Sequence, residues 1–159
     1  MVIAMACQPE VPVAAQEQGR VSVTTTRFGR LEIDVSQVLH FPEGMLGFED
    51  SRDYGRFAHA PGSPFYWLQS MTEPQLAFVA INPFEAFPTY DVEISDFDVA
   101  QLGLESPDDV EILAIVTFAK QACTVNLVGP VVMNRRTHVA KQVVLTDPRY
   151  GTRHPLPGG

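Results

Sequence analysis

The sequence is poor in basic residues and in cysteine. Its 159 residues contain 11 Lys and Arg against 19 Asp and Glu, which gives a formal net charge of -8 at pH 7. A surface of that sign repels phosphate backbones, so the composition excludes a chromatin-type nucleic-acid binder. The two cysteines, Cys7 and Cys123, stand too far apart for a metal knuckle or a CxxC redox pair, and a reduced cytosolic chain is the better interpretation.

Long apolar segments are also missing. No apolar run reaches the ~18 residues that a membrane-spanning helix needs. The first residues, Met1–Cys7, look faintly like a lipoprotein cleavage site, but they lack a basic start and their apolar stretch falls short of the roughly 7–15 residues expected. We therefore expect a cytoplasmic protein with no membrane association.

The residue patterns of common catalytic sites are absent as well. The sequence has no GxSxG, no P-loop and no GxGxxG, and its four histidines occur singly rather than at a metal-binding spacing. His40 and His59 fall in predicted strands, where a hydrogen-bonded histidine is commonplace, and Cys123 has the context of a small buried apolar residue. These absences predict a protein that is not an enzyme and has no catalytic, metal or cofactor site.

After residue 19 the sequence consists of short β-branched or aromatic runs separated by Gly, Pro, Asp and Asn, which is typical of an all-β protein. Residues 1–19 show no periodicity and are interpreted as a flexible N-terminal extension, residues 20–156 as one folded domain, and residues 157–159 as a tail. Ten strands, one or two helical turns and no βαβ repeat predict an all-β single domain, either a β-barrel or a β-sandwich. The predicted strands are Arg20–Thr26, Leu31–Ile33, Val38–Phe41, Tyr54–Ala60, Phe65–Ser70, Leu76–Asn82, Val110–Ala119, Cys123–Val128, Val131–Asn134 and Val139–Thr146.

The strand predicted over Val110–Ala119 shows the clearest alternation. One of its faces is apolar and the other is only partly polar, which indicates a central strand covered on both sides. Asn126 and Asn134 lie within or at the end of apolar β runs, where their amides are expected to pin the backbone near Pro130.

One segment departs from the β pattern. Ser95 is a plausible helix N-cap, Asp98 stands where a capping box prefers Glu or Gln, and Gly103 is a natural stop. Ser106 and the residues after it form a second candidate start. The sequence therefore predicts one or two short helical turns among the strands.

Charge is distributed unevenly along the chain. Between Glu73 and Ala119 there are ten acids and no Lys or Arg, whereas residues 120–159 contain six bases and the single acid Asp147. Either the fold mixes both sets over one solvated surface, or the acids form a face that attracts a basic partner. In the second case the candidate partner-binding acids are Asp96, Asp98, Asp108 and Asp109.

An apolar loop is the other candidate for partner binding. Met45, Leu46 and Phe48 lie in a segment punctuated by Pro42, Gly44 and Gly47. Loops normally expose their side chains, so an apolar loop either folds into the core or serves as contact surface for a partner. Both interpretations stay open from the residues alone.

Several motifs in a fixed order resemble one family. They are Thr26-Arg-Phe-Gly29, Phe41-Pro-Glu-Gly-Met-Leu-Gly-Phe-Glu49, Pro64-Phe-Tyr-Trp-Leu-Gln-Ser70 with Leu76-Ala-Phe78, Thr124-Val-Asn-Leu-Val-Gly-Pro-Val-Val-Met-Asn134, Lys141-Gln-Val143 and Arg153-His-Pro-Leu156. Together they cover roughly Arg20 to Leu156 and resemble the flagellar assembly factor FliW family. The chain departs from the family pattern at Gly129, His138 and Ala140, so the family's properties transfer least safely to the turn around residues 135–140.

The resemblance implies a small antiparallel β-barrel-like single domain and a cytoplasmic, non-enzymatic regulator of flagellum biogenesis. Such a protein binds flagellin before export and also binds CsrA, the small RNA-binding repressor of flagellin translation, so that secretion of flagellin frees it to antagonise CsrA. We expect a monomer that makes no direct contact with nucleic acid. A chaperone that serves flagellin export without a role in translation is the alternative, and a small-barrel enzyme or ligand carrier would require an enclosed pocket with convergent polar groups.

Overall fold

The computed structural model describes residues 19–120 and 122–157. Apart from Gly19 and Pro157, the predicted N-terminal extension and the predicted tail lie outside these residues. The described part contains eleven strands, two short helices and two 3-10 turns. The strands are β1 Arg20–Thr25, β2 Gly29–Asp34, β3 Val38–His40, β4 Asp53–Ala58, β5 Phe65–Ser70, β6 Ala77–Ile81, β7 Val110–Ala119, β8 Ala122–Val125, β9 Val131–Asn134, β10 Ala140–Gln142 and β11 His154–Pro155. The helices are α1 Pro83–Ala86 and α2 Asp96–Leu102, and the 3-10 turns are Val35–Gln37 and Pro107–Asp109.

The strands form one large antiparallel sheet and a separate hairpin. β1 pairs with β2, while the remaining nine strands follow the order β10-β9-β7-β6-β5-β4-β3, with β8 on β7 and β11 on β8. The two outer strands of this path meet at one parallel bridge between His40 and Val139, where the His40 N–H donates to the His138 carbonyl at 2.9 Å. One bridge does not make a ladder, so the sheet curls without closing. The predicted all-β, antiparallel, barrel-like fold class is confirmed.

The core lies on both faces of β7. Leu113 belongs to an inner cluster with Phe41, Tyr54 and Leu68, whereas its neighbour Ala114 belongs to an outer cluster beneath helix α2 and the extended C-terminal segment. β7 pairs with β6, β8 and β9 along its ten residues. The prediction of a central strand covered on both sides is confirmed.

Two strands depart most from the sequence-based prediction. The last long strand was predicted over Val139–Thr146, but the ladder of β10 covers only Ala140–Gln142, because Val143 donates to the carbonyl of Pro130, which has no N–H to donate in return. β11 was not predicted, since two residues carry no alternation. Neither of the two helices in the described part of the chain has the length and apolarity required to cross a bilayer.

Candidate partner-binding surface

The apolar loop between β3 and β4 is closed by its own backbone. The Gly44 N–H donates to the Phe41 carbonyl at 2.9 Å, and the Phe48 N–H donates to the Met45 carbonyl at 2.8 Å. Gly44 has a φ of 71°, and a Cβ at this position would lie 2.5 Å from the Cα of Glu49. Glycine is therefore required at residue 44 for the loop to close.

The three apolar loop residues separate into one core residue and two surface residues. Met45 is 2% exposed and belongs to the inner core, whereas Leu46 and Phe48 are 55% and 43% exposed. Of the two open interpretations, Met45 therefore follows the core one and is not a contact residue, because the closed loop directs its side chain into the inner core. The ring of Phe48 lies edge-to-face on Phe78, with 5.2 Å between the ring centroids.

Helix α2 forms where the sequence predicts a helical turn. Ser95 Oγ accepts the N–H of Asp98 at 3.1 Å, and Gly103 ends the helix in the left-handed conformation. Asp98 is buried, and its carboxylate accepts a hydrogen bond from Lys141 Nζ at 2.6 Å. The same ammonium lies 4.9 Å from the ring centroid of Phe97, which is 66% exposed. Asp98 is thus a paired, buried acid rather than the free surface acid expected, whereas Phe97 is an exposed apolar residue that the sequence analysis missed.

Strand β10 joins the loop to helix α2. The Leu46 N–H donates to Gln142 Oε1 at 3.0 Å, and Gln101 Nε2 donates to Glu43 Oε2 at 3.1 Å. Lys141 Nζ also donates to Gln101 Oε1. These contacts make the loop, β10 and α2 one continuous region. We call four of its exposed side chains the loop–helix surface: Leu46, Phe48, Asp96 and Phe97.

Asp108 and Asp109 occupy the 3-10 turn before β7 and have different roles. Asp109 is buried, and its carboxylate accepts the N–H groups of Glu105 at 2.9 Å and Ser106 at 3.1 Å, together with Arg136 Nε at 3.0 Å. The hydrogen bond from the Glu105 backbone, followed by that from Arg136, lowers the pKa of the Asp109 carboxyl. Asp109 therefore caps the turn, contrary to the expected free carboxylate, while Asp108 stays exposed.

The acidic stretch from Glu73 to Ala119 is partly neutralised by bases that are distant in sequence. Arg56 binds Glu111 through two hydrogen bonds of 2.9 and 2.6 Å, and Arg135 lies 3.8 Å from the same carboxylate. Burial on its own would raise the pKa of Glu111, but the hydrogen bonds and charge of Arg56 lower it overall. Four acids of the stretch are paired in this way: Asp98, Glu105, Asp109 and Glu111.

The remaining six acids of the stretch have no ion-pair partner among the described residues. Within residues 19–120 and 122–157, no Lys, Arg or His lies within ion-pair distance of Glu73, Glu85, Asp91, Glu93, Asp96 or Asp108. The interpretation of a mixed surface therefore holds for the four paired acids, and the attraction of a basic partner by the other acids stays a prediction. The fold mixes some acids with bases, and it leaves a smaller set, including Asp96 and Asp108, with unneutralised charge.

Asn134 ties helix α2 to the turn between β9 and β10. Its Nδ2 donates to the carbonyls of Leu102 at 2.8 Å and Gly103 at 3.2 Å, and its Oδ1 accepts the Arg136 N–H at 2.8 Å. The Asn126 Oδ1 accepts the Gly129 N–H at 2.9 Å, next to Pro130. The expected backbone role is confirmed for Asn126, whereas Asn134 serves the helix instead.

The residues considered for catalysis have separate neighbours. His40 Nδ1 lies 2.7 Å from Asp53 Oδ1 on the surface, and the indole of Trp67 donates to His59 Nδ1 at 3.2 Å. Cys123 is a half-buried free thiol opposite Phe118. In the part of the chain that the structure describes, no three His, Cys, Asp or Glu side chains are grouped so that they could hold a metal ion.

Comparison with known proteins gives consistent matches over this region. A family model described as FliW protein matches residues 22–156. The chain is 38% identical over 139 residues to the flagellar assembly factor FliW of Magnetococcus marinus, with 86% of this chain and 85% of the relative covered. It is 41% identical over 133 residues to the FliW of Syntrophotalea carbinolica, with 83% of this chain and 95% of the relative covered.

A solved structure agrees with the sequence matches. The crystal structure of a flagellar assembly factor FliW superposes with a TM-score of 0.78 at 34% identity, covering 85% of this chain and 96% of the other.

Proposed function

Because this chain belongs to the FliW family of flagellar assembly factors, we propose that it binds flagellin and, when free of flagellin, binds the RNA-binding repressor CsrA. Binding of CsrA relieves the repression of flagellin translation, so competition between the two partners couples translation to flagellin secretion. The protein acts in the cytoplasm as a monomer, without direct contact to nucleic acid or to a membrane.

The loop–helix surface is the observation that supports this proposal best. Leu46, Phe48 and Phe97 expose large apolar side chains on a region held by hydrogen bonds and an ion pair. Protein interfaces combine such apolar anchors with a polar rim, and rigid anchors lose little conformational entropy on binding. Flagellin would bury the apolar residues of this surface.

Exposed acids support the second part of the proposal, which is binding of a basic partner. Asp96 lies on the loop–helix surface and Asp108 on the nearby 3-10 turn, both exposed and without an ion pair in the described chain. Such charges raise the association rate of a basic protein and repel the phosphates of its bound RNA. CsrA, as an RNA-binding protein, would present the complementary charge.

A pull-down with the tagged protein separates this proposal from a chaperone that serves flagellin export alone. The bait is added to nuclease-treated extracts of the native cells with and without flagellin. We expect CsrA on the bait in the extract without flagellin, and flagellin in its place in the other. Capture of flagellin with no CsrA in either extract would contradict the regulatory role and leave the chaperone, and capture of neither would contradict both.

A further inference from the structure

The chain beyond β10 leaves one edge of the large sheet open. The N–H groups of Val143 and Leu145 donate to the carbonyls of residues 130 and 128 at 2.9 and 2.8 Å. Successive residues of a strand point their backbone groups to opposite edges, so those of Val144 and Thr146 point away from these partners. Among the described residues, the N–H and C=O groups of Val144 and Thr146 have no hydrogen-bond partner.

A second extended segment runs antiparallel to this edge. In the segment 91–95, the residues alternate between exposed and half-buried, with Val92 and Ile94 directed into the outer core. At one end of the pair the Asp91 N–H donates to the hydroxyl of Tyr150 at 2.9 Å, and at the other end Lys141 binds Asp98 at 2.6 Å. Between these two clamps, no backbone hydrogen bond joins the segments within the described chain.

The space between the two segments is a groove of about 1010 Å³. Its lining combines the open edge at Val144 and Thr146 with a row of exposed acids on the opposite wall. Asp91 and Glu93 are two residues apart, which is the spacing of side chains along one face of a strand, and Asp96 follows them. None of these three acids has an ion-pair partner in the described residues, whereas Asp147 on the other wall is held by Arg149.

We propose that this groove binds an extended peptide segment of a partner protein by strand addition, with Lys or Arg at alternate positions of the peptide. The unpaired N–H and C=O groups of Val144 and Thr146 supply the hydrogen bonds that an added strand requires. Asp91, Glu93 and Asp96 select basic side chains, since opposite charges on neighbouring strands stabilise their pairing and like charges destabilise it. The inference does not depend on the partners named above, because it concerns the chemistry of the peptide only.

A synthetic peptide tests the proposal. The probe is a dye-labelled Lys-Val-Lys-Val-Lys-Val peptide, and its binding is followed by fluorescence anisotropy. Two control peptides separate the requirements: one replaces each Lys by Glu, and the other keeps the charge but carries Pro at a central position, which removes a backbone donor. We expect each control to bind at least tenfold more weakly than the probe. Slower amide exchange at Val144 and Thr146 on addition of the probe gives the structural readout.

Paired variants of the protein locate the binding to the groove. Glu93→Gln with Asp96→Asn should weaken probe binding at least tenfold. The matched control, Asp50→Asn with Glu85→Gln, removes two exposed acids that have no ion pair within the described part of the chain and do not line the groove, and it should bind like the parent. Thermal melting of both variants checks that they are folded.

Three results would overturn the proposal. Equal binding of the proline peptide would show that charge alone holds the probe, and equal binding by the two protein variants would place it elsewhere. If the free protein were a dimer in which the amides of Val144 and Thr146 already exchange slowly, the open edge would be the interface with a second copy of the chain. Because the probe is synthetic, each of these results leaves the proposed binding of flagellin and CsrA to its own test.

Discussion

Met45 and Leu46 are neighbours in an apolar loop, yet one is 2% exposed and the other 55%. Their residue types do not distinguish them, because burial in a loop depends on distant strands that the local pattern does not contain. The same limit applies to Asp98 and Asp109, which the sequence presents as ordinary acids of a charged stretch. Their partners, Lys141 and Arg136, come from a hairpin more than 25 residues later, and only the tertiary structure brings these pairs together.

The loop leads to a first prediction about single residues. Leu46→Ser with Phe48→Ser should weaken capture of flagellin at least tenfold, and Leu46→Ser alone should change the free energy of unfolding by no more than about 0.5 kcal/mol, since this side chain is mostly exposed. Met45→Ala should instead cost ~2–5 kcal/mol, because it creates a cavity in the inner core. Urea unfolding and pull-down of purified flagellin measure the two effects.

A matched control removes exposed apolar side chains from other elements. Val35→Ser with Phe118→Ser takes away a residue that is 45% exposed and one that is 57% exposed. This variant should capture flagellin like the parent. Equal losses of capture in both double variants would contradict a specific role for the loop.

The second prediction concerns Glu111, whose pKa is lowered in the folded protein by Arg56 despite burial. A carboxyl with a lowered folded-state pKa stabilises the fold above its unfolded pKa of about 4.3, and this contribution is lost as the pH falls through the folded-state value. Glu111→Gln should therefore lose about 2 kcal/mol of stability near pH 7, and the difference from the parent should shrink towards pH 3. Urea unfolding at several pH values measures it.

Glu32 provides the comparison for this measurement. It pairs with Arg30 at 3.9 Å on the surface, with both side chains more than half exposed. Glu32→Gln should change the free energy of unfolding at pH 7 by less than about 1 kcal/mol, because exposed pairs contribute little. A difference between Glu111→Gln and the parent that stays constant from pH 7 to pH 3 would assign the lost stability to packing rather than to the ion pair.

At the scale of elements, capping residues predicted where helix α2 begins and ends, but the sequence did not predict which of its faces is buried. The start of α2 at Ser95 and its end at Gly103 follow from capping preferences, and the structure confirms both. The orientation of the helix was not predictable from the sequence. Two pairs of apolar residues have helical spacing, Phe97 with Ala100 and Val99 with Leu102, and only one pair can face the core. Leu102 is buried, and Phe97 is left on the surface.

The third prediction concerns the attachment of α2. Asn134→Ala removes two donors to carbonyls at the end of the helix, at 2.8 and 3.2 Å, and an acceptor for the following turn. The variant should lose about 2–3 kcal/mol of stability, since buried polar groups are left without partners. Amide hydrogen exchange should also become faster in α2.

Asn126→Ala distinguishes this attachment from a general loss of stability. The Asn126 Oδ1 accepts the N–H of Gly129 at 2.9 Å, in the loop between β8 and β9. We expect this variant to be destabilised while the amides of α2 keep their relative protection. Faster exchange in α2 to the same extent in both variants would contradict a specific attachment by Asn134.

At the scale of the whole molecule, the fold class was predictable from the sequence, whereas the pairing of acidic with basic side chains was not. Alternation and turn residues specify an antiparallel all-β domain, and the structure curls into an unclosed barrel. The distribution of free charge depends on which bases the fold carries to which acids. Among residues 19–120 and 122–157, four acids of the stretch 73–119 have an ion-pair partner and six do not, and the sequence does not distinguish the two groups.

The proposed role depends on the release of RNA from CsrA, and this release can be measured directly. CsrA is bound to a dye-labelled flagellin leader RNA, and the protein is titrated into the complex while the anisotropy of the RNA is recorded. We predict that the RNA is released and that purified flagellin, added afterwards, restores the complex. The variant Asp96→Asn with Asp108→Asn should release RNA more slowly at low salt, and the difference should disappear at high salt, where charges are screened beyond about 3 Å. RNA that stays bound to CsrA in the presence of excess folded protein, at any salt concentration, would contradict the account.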